Sequence, residues 1–238
     1  LMENDDQQGL AHFLEHMAFN GTKNFPAGEM VEYFQRLGMG FGNHTNAHTS
    51  FNETVYKLEL PNSDAAMIDE GMKLFRDYAD GMLLLAGEID EERGIILSEK
   101  RDRDSVSWRT FVEQIKFAFP EQRLSSRMPI GTDEVISKAP RERFVEFYEN
   151  WYTPNRMAVV VVGDVEVAAI EKLISTHFAD MAARESAPRL RWVKCPSAVS
   201  RPTTTTRSRQ VRPPSRLKCS SPVSILPTTA SAVFTIST

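Results

Sequence analysis

Three residues in the stretch GLAHFLEHMAFNGT, Gly9 to Thr22, could do chemistry together: His12, Glu15 and His16. If the stretch is helical, His12 and His16 lie on one face, one turn apart, and Glu15, three after His12, points to the same side. Two imidazoles at that spacing can bind one metal ion. A catalytic zinc takes three protein ligands and keeps one position open for water. A carboxylate beside the ion, but not bound to it, can take the proton of that water. Glu15 suits that role. The third ligand must come from elsewhere, and EERGIILSEK offers Glu92 and Glu99, seven apart and so two turns along one helical face. One can bind metal while the other holds a ligand from behind. Spacing alone does not choose between them. The bland alternative is a helix with two incidental histidines, since H-x-x-E-H arises by chance in roughly one in a few hundred chains of average composition. Against it, the three polar groups interrupt one apolar stretch together, and buried polar groups need partners.

The elements that would position these residues can be read in turn. The motif helix should stop at Asn20-Gly21. PAGEMVEYFQRLG reads as a second helix with Met30, Tyr33, Phe34 and Leu37 as its apolar stripe. Tyr56, Leu58 and Leu60 alternate with Lys57 and Glu59, which predicts a half-buried strand over about 54–60, closed by Pro61. A helix capped by Ser63 or Asp64 should run to about Gly81. A long helix is expected from about Asp90 to Phe119, and another in PRERFVEFYENWY with Pro140 in its first turn. RMAVVVVGDV reads as a buried strand, and EVAAIEKLISTHF as the helix after it. Trp108, Trp151 and Tyr152 are expected to be core anchors. No internal repeat is visible.

Charge divides the chain. The 238 residues carry a net charge of −4. From Lys194 onward there are seven Lys/Arg and no Asp or Glu, so residues 1–193 hold a net charge of −11. That is a poor surface for nucleic acid, whose binding needs phosphate neutralisation by Lys and Arg. No apolar run reaches the ~18–20 residues that span a bilayer. Ser, Thr and Pro dominate residues 195–238, which show no period. Disorder, or a segment read out of frame, is the expectation for 194–238. Its two cysteines, Cys195 and Cys219, imply neither a disulfide framework nor a zinc site. The NGT, NHT and NET triplets match the glycosylation pattern but are unremarkable in so polar a region.

H-x-x-E-H is the inverzincin signature, and GLAHFLEHMAFNGT resembles the pitrilysin/insulinase family of zinc peptidases. LGMGFGNHTNAHTSFNETVY, EERGIILSEK, PIGTDEVI and FYENWYTPNRMAVVVVGD resemble successive landmarks of that family's N-terminal catalytic domain, over about residues 1–185. The resemblance implies one zinc per chain held by His12, His16 and Glu99, with Glu15 as general base and Glu92 as the supporting carboxylate. It implies that NAHTS lies by an edge strand where a peptide adds as a further strand, with Asn46 and Ala47 in contact. His48 is not expected to be a ligand.

The fold implied is α+β: a two-layer domain with helices packed on one mixed, largely antiparallel sheet, of the LuxS and mitochondrial-processing-peptidase-like metallohydrolase type. Residues 1–193 would be the catalytic peptidase domain without its first strand. The substrate would be a peptide or small protein, and a homologous second domain, absent from this chain, would complete the enzyme. A bacterial periplasm or cell envelope is implied by resemblance only. The alternative is a non-catalytic subunit or interaction domain of the same superfamily, but such members have typically lost part of the motif, and here every candidate group is present.

Overall fold

The computed structural model describes residues 1–40, 42, 44–182 and 230–237. The helix carrying the motif, α1 (Leu10–Met17), starts at Gly9, whose φ of 101° is left-handed. A Cβ on Gly9 would come within 2.7 Å of the Gly131 backbone, so this entry turn has no room for a side chain. The buried Glu3 carboxylate accepts hydrogen bonds from the Gly9 and Ala11 amides at 3.1 and 2.9 Å. It satisfies amide donors that the first turn leaves unpaired and places negative charge at the positive end of the helix. Beyond α1, Thr22 Oγ1, the Asn24 amide and Asn24 Nδ2 all donate to the buried Asp77 at 2.7 Å, which fixes the loop that leaves the helix.

The chain continues through α2 (Glu29–Arg36), β1 (Thr45–Thr49), β2 (Glu53–Leu60), α3 (Ala65–Asp80), α4 (Ala86–Arg103), α5 (Val106–Ala118), α6 (Asp133–Lys138), α7 (Arg141–Trp151), β3 (Met157–Val162), α8 (Val167–Phe178) and β4 (Ala230–Ser237). Four strands form one sheet in the order β1-β2-β4-β3, and every pairing among the described residues is antiparallel. Tyr56, Leu58 and Leu60 of β2 face the core, as their alternation predicts. With helices packed on this sheet, the fold is α+β.

Three elements differ from the sequence reading. The long helix expected from Asp90 to Phe119 is two helices. Asp104 leaves helical geometry, and the Ser105 hydroxyl accepts from the Trp108 amide to cap α5. Trp108 is then only half-buried, whereas Trp151 and Tyr152 are core residues as expected. The Val run of β3 is not fully buried. Its residues alternate, and Val160 and Val162 are exposed because β3 closes the sheet with one face open. Finally, residues 230–237 lie in the segment read as aperiodic tail, yet they form β4 between β2 and β3. The run AVFTIS is rich in β-branched and aromatic residues, which fit a pleated surface. The remainder of that segment, 194–229, with Cys195 and Cys219, lies outside the described residues.

The back of α1 rests on α7. Phe13 meets Phe144 edge-on at 4.7 Å, and both are fully buried. Phe144→Ala is expected to cost about 3–5 kcal/mol, transfer and cavity terms together, read as a lower midpoint in urea. A loss below about 1 kcal/mol would mean that the motif helix does not depend on this contact.

Candidate metal centre

His12, Glu15 and His16 share one face of α1 (Leu10–Met17). The His12 and His16 rings meet edge to face at 4.7 Å. Each Nε2 lies 3.4 Å from Glu99 Oε2 on α4. One ligand atom from each of the three residues falls within 4.8 Å of the others, and among the described residues no other group of His, Cys, Asp or Glu forms such a cluster. Atoms about 2.1 Å from a tetrahedral zinc sit about 3.4 Å from one another, so the donor spacing fits that ion. Glu99 Oε2 is buried and accepts no hydrogen bond among the described residues, while Glu99 Oε1 meets Arg103. An unsatisfied buried carboxylate oxygen is costly, and a cation between the three donors would relieve it.

Glu92 sits on the same helix, two turns earlier, and does something else. Its Oε1 accepts from His16 Nδ1 at 2.7 Å, and its Oε2 accepts from Asn20 Nδ2 at 2.7 Å. A proton held on Nδ1 leaves the Nε2 lone pair free, the tautomer a metal requires. The structure thus places Glu99 beside both Nε2 atoms and Glu92 behind one ring. Asn20, which the sequence suggested only as a helix stop, has a side-chain partner in this arrangement.

The electrostatics follow from burial and these partners. Burial, helped by the neighbouring His16 and Arg103, pushes the His12 imidazole down to about 3. It is neutral at ordinary pH, as a ligand must be. Burial also lowers His16, but its hydrogen bond to Glu92 and the nearby carboxylates outweigh this and raise it. Burial raises Glu92, and there too the His16 and Asn20 hydrogen bonds win and hold it below the usual range. Glu15 is raised by burial, partly offset by a hydrogen bond from Thr49.

Glu15 is 9 % exposed and stands beside the cluster without belonging to it. Thr49 Oγ1 donates to Glu15 Oε2 at 2.5 Å. Thr49 ends β1, which pairs with β2 on one side and is the sheet's edge among the described residues. Asn46 and Ala47, on the same strand, line a cleft of about 300 Å³ with Glu15, His16, Phe19, Asn20, Thr45 and Glu92. His48 is exposed and outside that lining. Sequence reasoning missed Thr49. Alternation along TNAHT would have placed Thr45, Ala47 and Thr49 on one face, had the strand been recognised there.

Residues 1–121 match the family described as "Insulinase (Peptidase family M16)", and residues 138–236 match "Peptidase M16 inactive domain". The chain is 34% identical over 192 residues to the probable zinc protease PqqL of Escherichia coli, covering 81% of this chain and 21% of that protein. It is 31% identical over 166 residues to a chloroplastic stromal processing peptidase of Pisum sativum, covering 68% of this chain and 12% of that one. The crystal structure of the first half of the periplasmic protease PqqL from E. coli superposes with a TM-score of 0.77 at 34% identity, over 81% of this chain and 41% of that one. The chain spans about a fifth of the length of PqqL. The motif helix and the helix facing it both fall inside the matched 1–121 region, and by that match the chain belongs to the insulinase family of peptidases, family M16.

Proposed function

We propose that this chain carries the N-terminal catalytic domain of a zinc-dependent metalloendopeptidase, residues 1–193 with strand β4 (Ala230–Ser237) completing its sheet. The observation that carries this reading is the pair of imidazole Nε2 atoms, each 3.4 Å from a Glu99 oxygen that accepts no hydrogen bond among the described residues, with Glu92 fixing the tautomer of one ring. His12, His16 and Glu99 would hold the ion. When bound, zinc acidifies a water and polarises the scissile carbonyl. Glu15 takes the proton of the attacking water and returns it to the leaving amine. Asn46 and Ala47 offer backbone and side-chain contacts to an extended peptide laid along the free edge of β1. A peptide or small protein is the substrate class, and the homologous second domain supplies further grip on it. Spanning about a fifth of PqqL, the chain by itself would bind zinc but cleave peptides poorly. A periplasmic setting is compatible with PqqL, which is described as periplasmic, and no described helix is long and apolar enough to cross a membrane.

Metal content per chain, by mass spectrometry, tests the assignment. About one zinc is expected in the wild type, none in Glu99→Gln, and zinc of about 10–100-fold weaker affinity in Glu92→Gln, as for an outer hydrogen-bond partner. Loss only in Glu92→Gln would move the ligand. No zinc in the wild type after loading would overturn the reading.

A further inference from the structure

We propose that Thr49 is a positioning residue for the general base: its hydroxyl, fixed by the strand pair β1–β2, holds the Glu15 carboxylate in its working orientation. The inference rests on the peptidase reading above and extends it to a residue outside the metal motif.

A hydroxyl has one proton to donate. The Thr49 proton goes to Glu15 Oε2. The 3.3 Å contact between Thr49 Oγ1 and Thr54 Oγ1 must then be donated by Thr54. Thr54 is fully buried on β2 and stands directly opposite Thr49 in the register. The order of support is therefore strand pair, then Thr54, then Thr49, then carboxylate. Among the described residues Glu15 Oε1 accepts no hydrogen bond, so Thr49 is the one protein group that fixes the carboxylate plane and leaves the second oxygen free for a water. Without it only packing would orient the carboxylate, at a site where a shift of about 1 Å costs on the order of 100-fold in rate. The same short strand offers Asn46 and Ala47 to the cleft, so the edge that would receive the peptide also sets the base.

The test compares wild type, Thr49→Val and Thr49→Ser as zinc-loaded, full-length polypeptide carrying this chain. Valine keeps the shape and removes the donor. Thr49→Val is expected to lower kcat at least ~10-fold with KM within about twofold, to keep one zinc per chain, and to melt within a few degrees of the wild type. Thr49→Ser restores most of kcat. A crystal structure of Thr49→Val should show the Glu15 carboxylate turned away while His12, His16 and Glu99 stay in place. Unchanged kcat, a loss confined to KM, or a loss that tracks zinc or folding would overturn the proposal. If the wild type neither binds zinc nor cleaves peptides, the peptidase reading itself fails. The crystal structure then still decides the positioning role, and an unmoved Glu15 carboxylate would refute it.

Discussion

Glu15→Gln is expected to lower kcat by about 10²–10⁴-fold, the range a positioned general base contributes, while zinc stays at one per chain. Glutamine matches glutamate in shape and its amide oxygen can still accept from Thr49, so the site should keep its form. What it loses is the capacity to accept the proton of a water and deliver it to the departing amine. The carboxyl is raised by burial, which makes it a better proton acceptor than an exposed glutamate would be. The measurement is turnover of a quenched fluorescent peptide by the full-length polypeptide, with metal content recorded on the same samples. Activity within about threefold of the wild type would assign the base elsewhere. A parallel loss of zinc would make Glu15 a ligand, which its place outside the donor cluster argues against.

The motif was legible because its chemistry is local. H-x-x-E-H places three side chains on one helical face with no help from the rest of the chain. The pairing with α4 is a different matter. Glu92 and Glu99 share a face, and nothing in their spacing says which meets the Nε2 atoms and which meets Nδ1. That is decided by how α4 crosses α1, a tertiary fact. The family resemblance named Glu99, and the distances place it beside both rings. Asn20 shows the same limit. Its αL-compatible position reads as a stop signal, and only the fold brings Glu92 within 2.7 Å of its amide.

Elements were legible where one physical signal dominated. The alternation of Tyr56, Leu58 and Leu60 predicted β2 because one strand face packs against helices. Composition misled where burial depends on neighbours. A run of valines reads as a buried strand, but one face of β3 is open and every second residue is exposed. The tail strand β4 was hidden for the opposite reason. Eight residues of strand character follow a long Ser/Thr/Pro-rich stretch, and their pairing with β2 and β3 is non-local. The break between α4 and α5 turns on one capping hydroxyl, Ser105, inside a charged run that otherwise looks helical.

Acid is expected to destabilise the metal-free protein through His12. Its folded pKa of about 3 lies below the ordinary 6.5, because burial penalises the charged ring. The unfolded chain therefore binds a proton that the folded chain refuses. The contribution is fully present above pH 6.5 and is lost progressively as pH falls toward 3, by on the order of 5 kcal/mol in total. Other groups act alongside it. Glu92, lowered, adds a loss in acid that begins near its ordinary value. His16, raised, stabilises below 6.5 and loses this as pH rises through its folded pKa. Glu3 and Glu15, raised by burial, have the same sign as His16: their contribution is present in acid and lost as pH rises. The His12 term is isolated by comparing wild type with His12→Gln, in which these other groups remain. Urea denaturation of metal-free samples between pH 7 and pH 4 should show the wild type losing more stability than His12→Gln, by about one proton's worth, or ~1.4 kcal/mol, per pH unit. Equal slopes would mean that the ring is hydrated or paired in solution. Zinc should oppose the acid loss, since an ion that binds only the folded state adds about 2.7 kcal/mol at 100 times its Kd. That protection should fade below the raised pKa of His16, where proton and metal compete for the same Nε2.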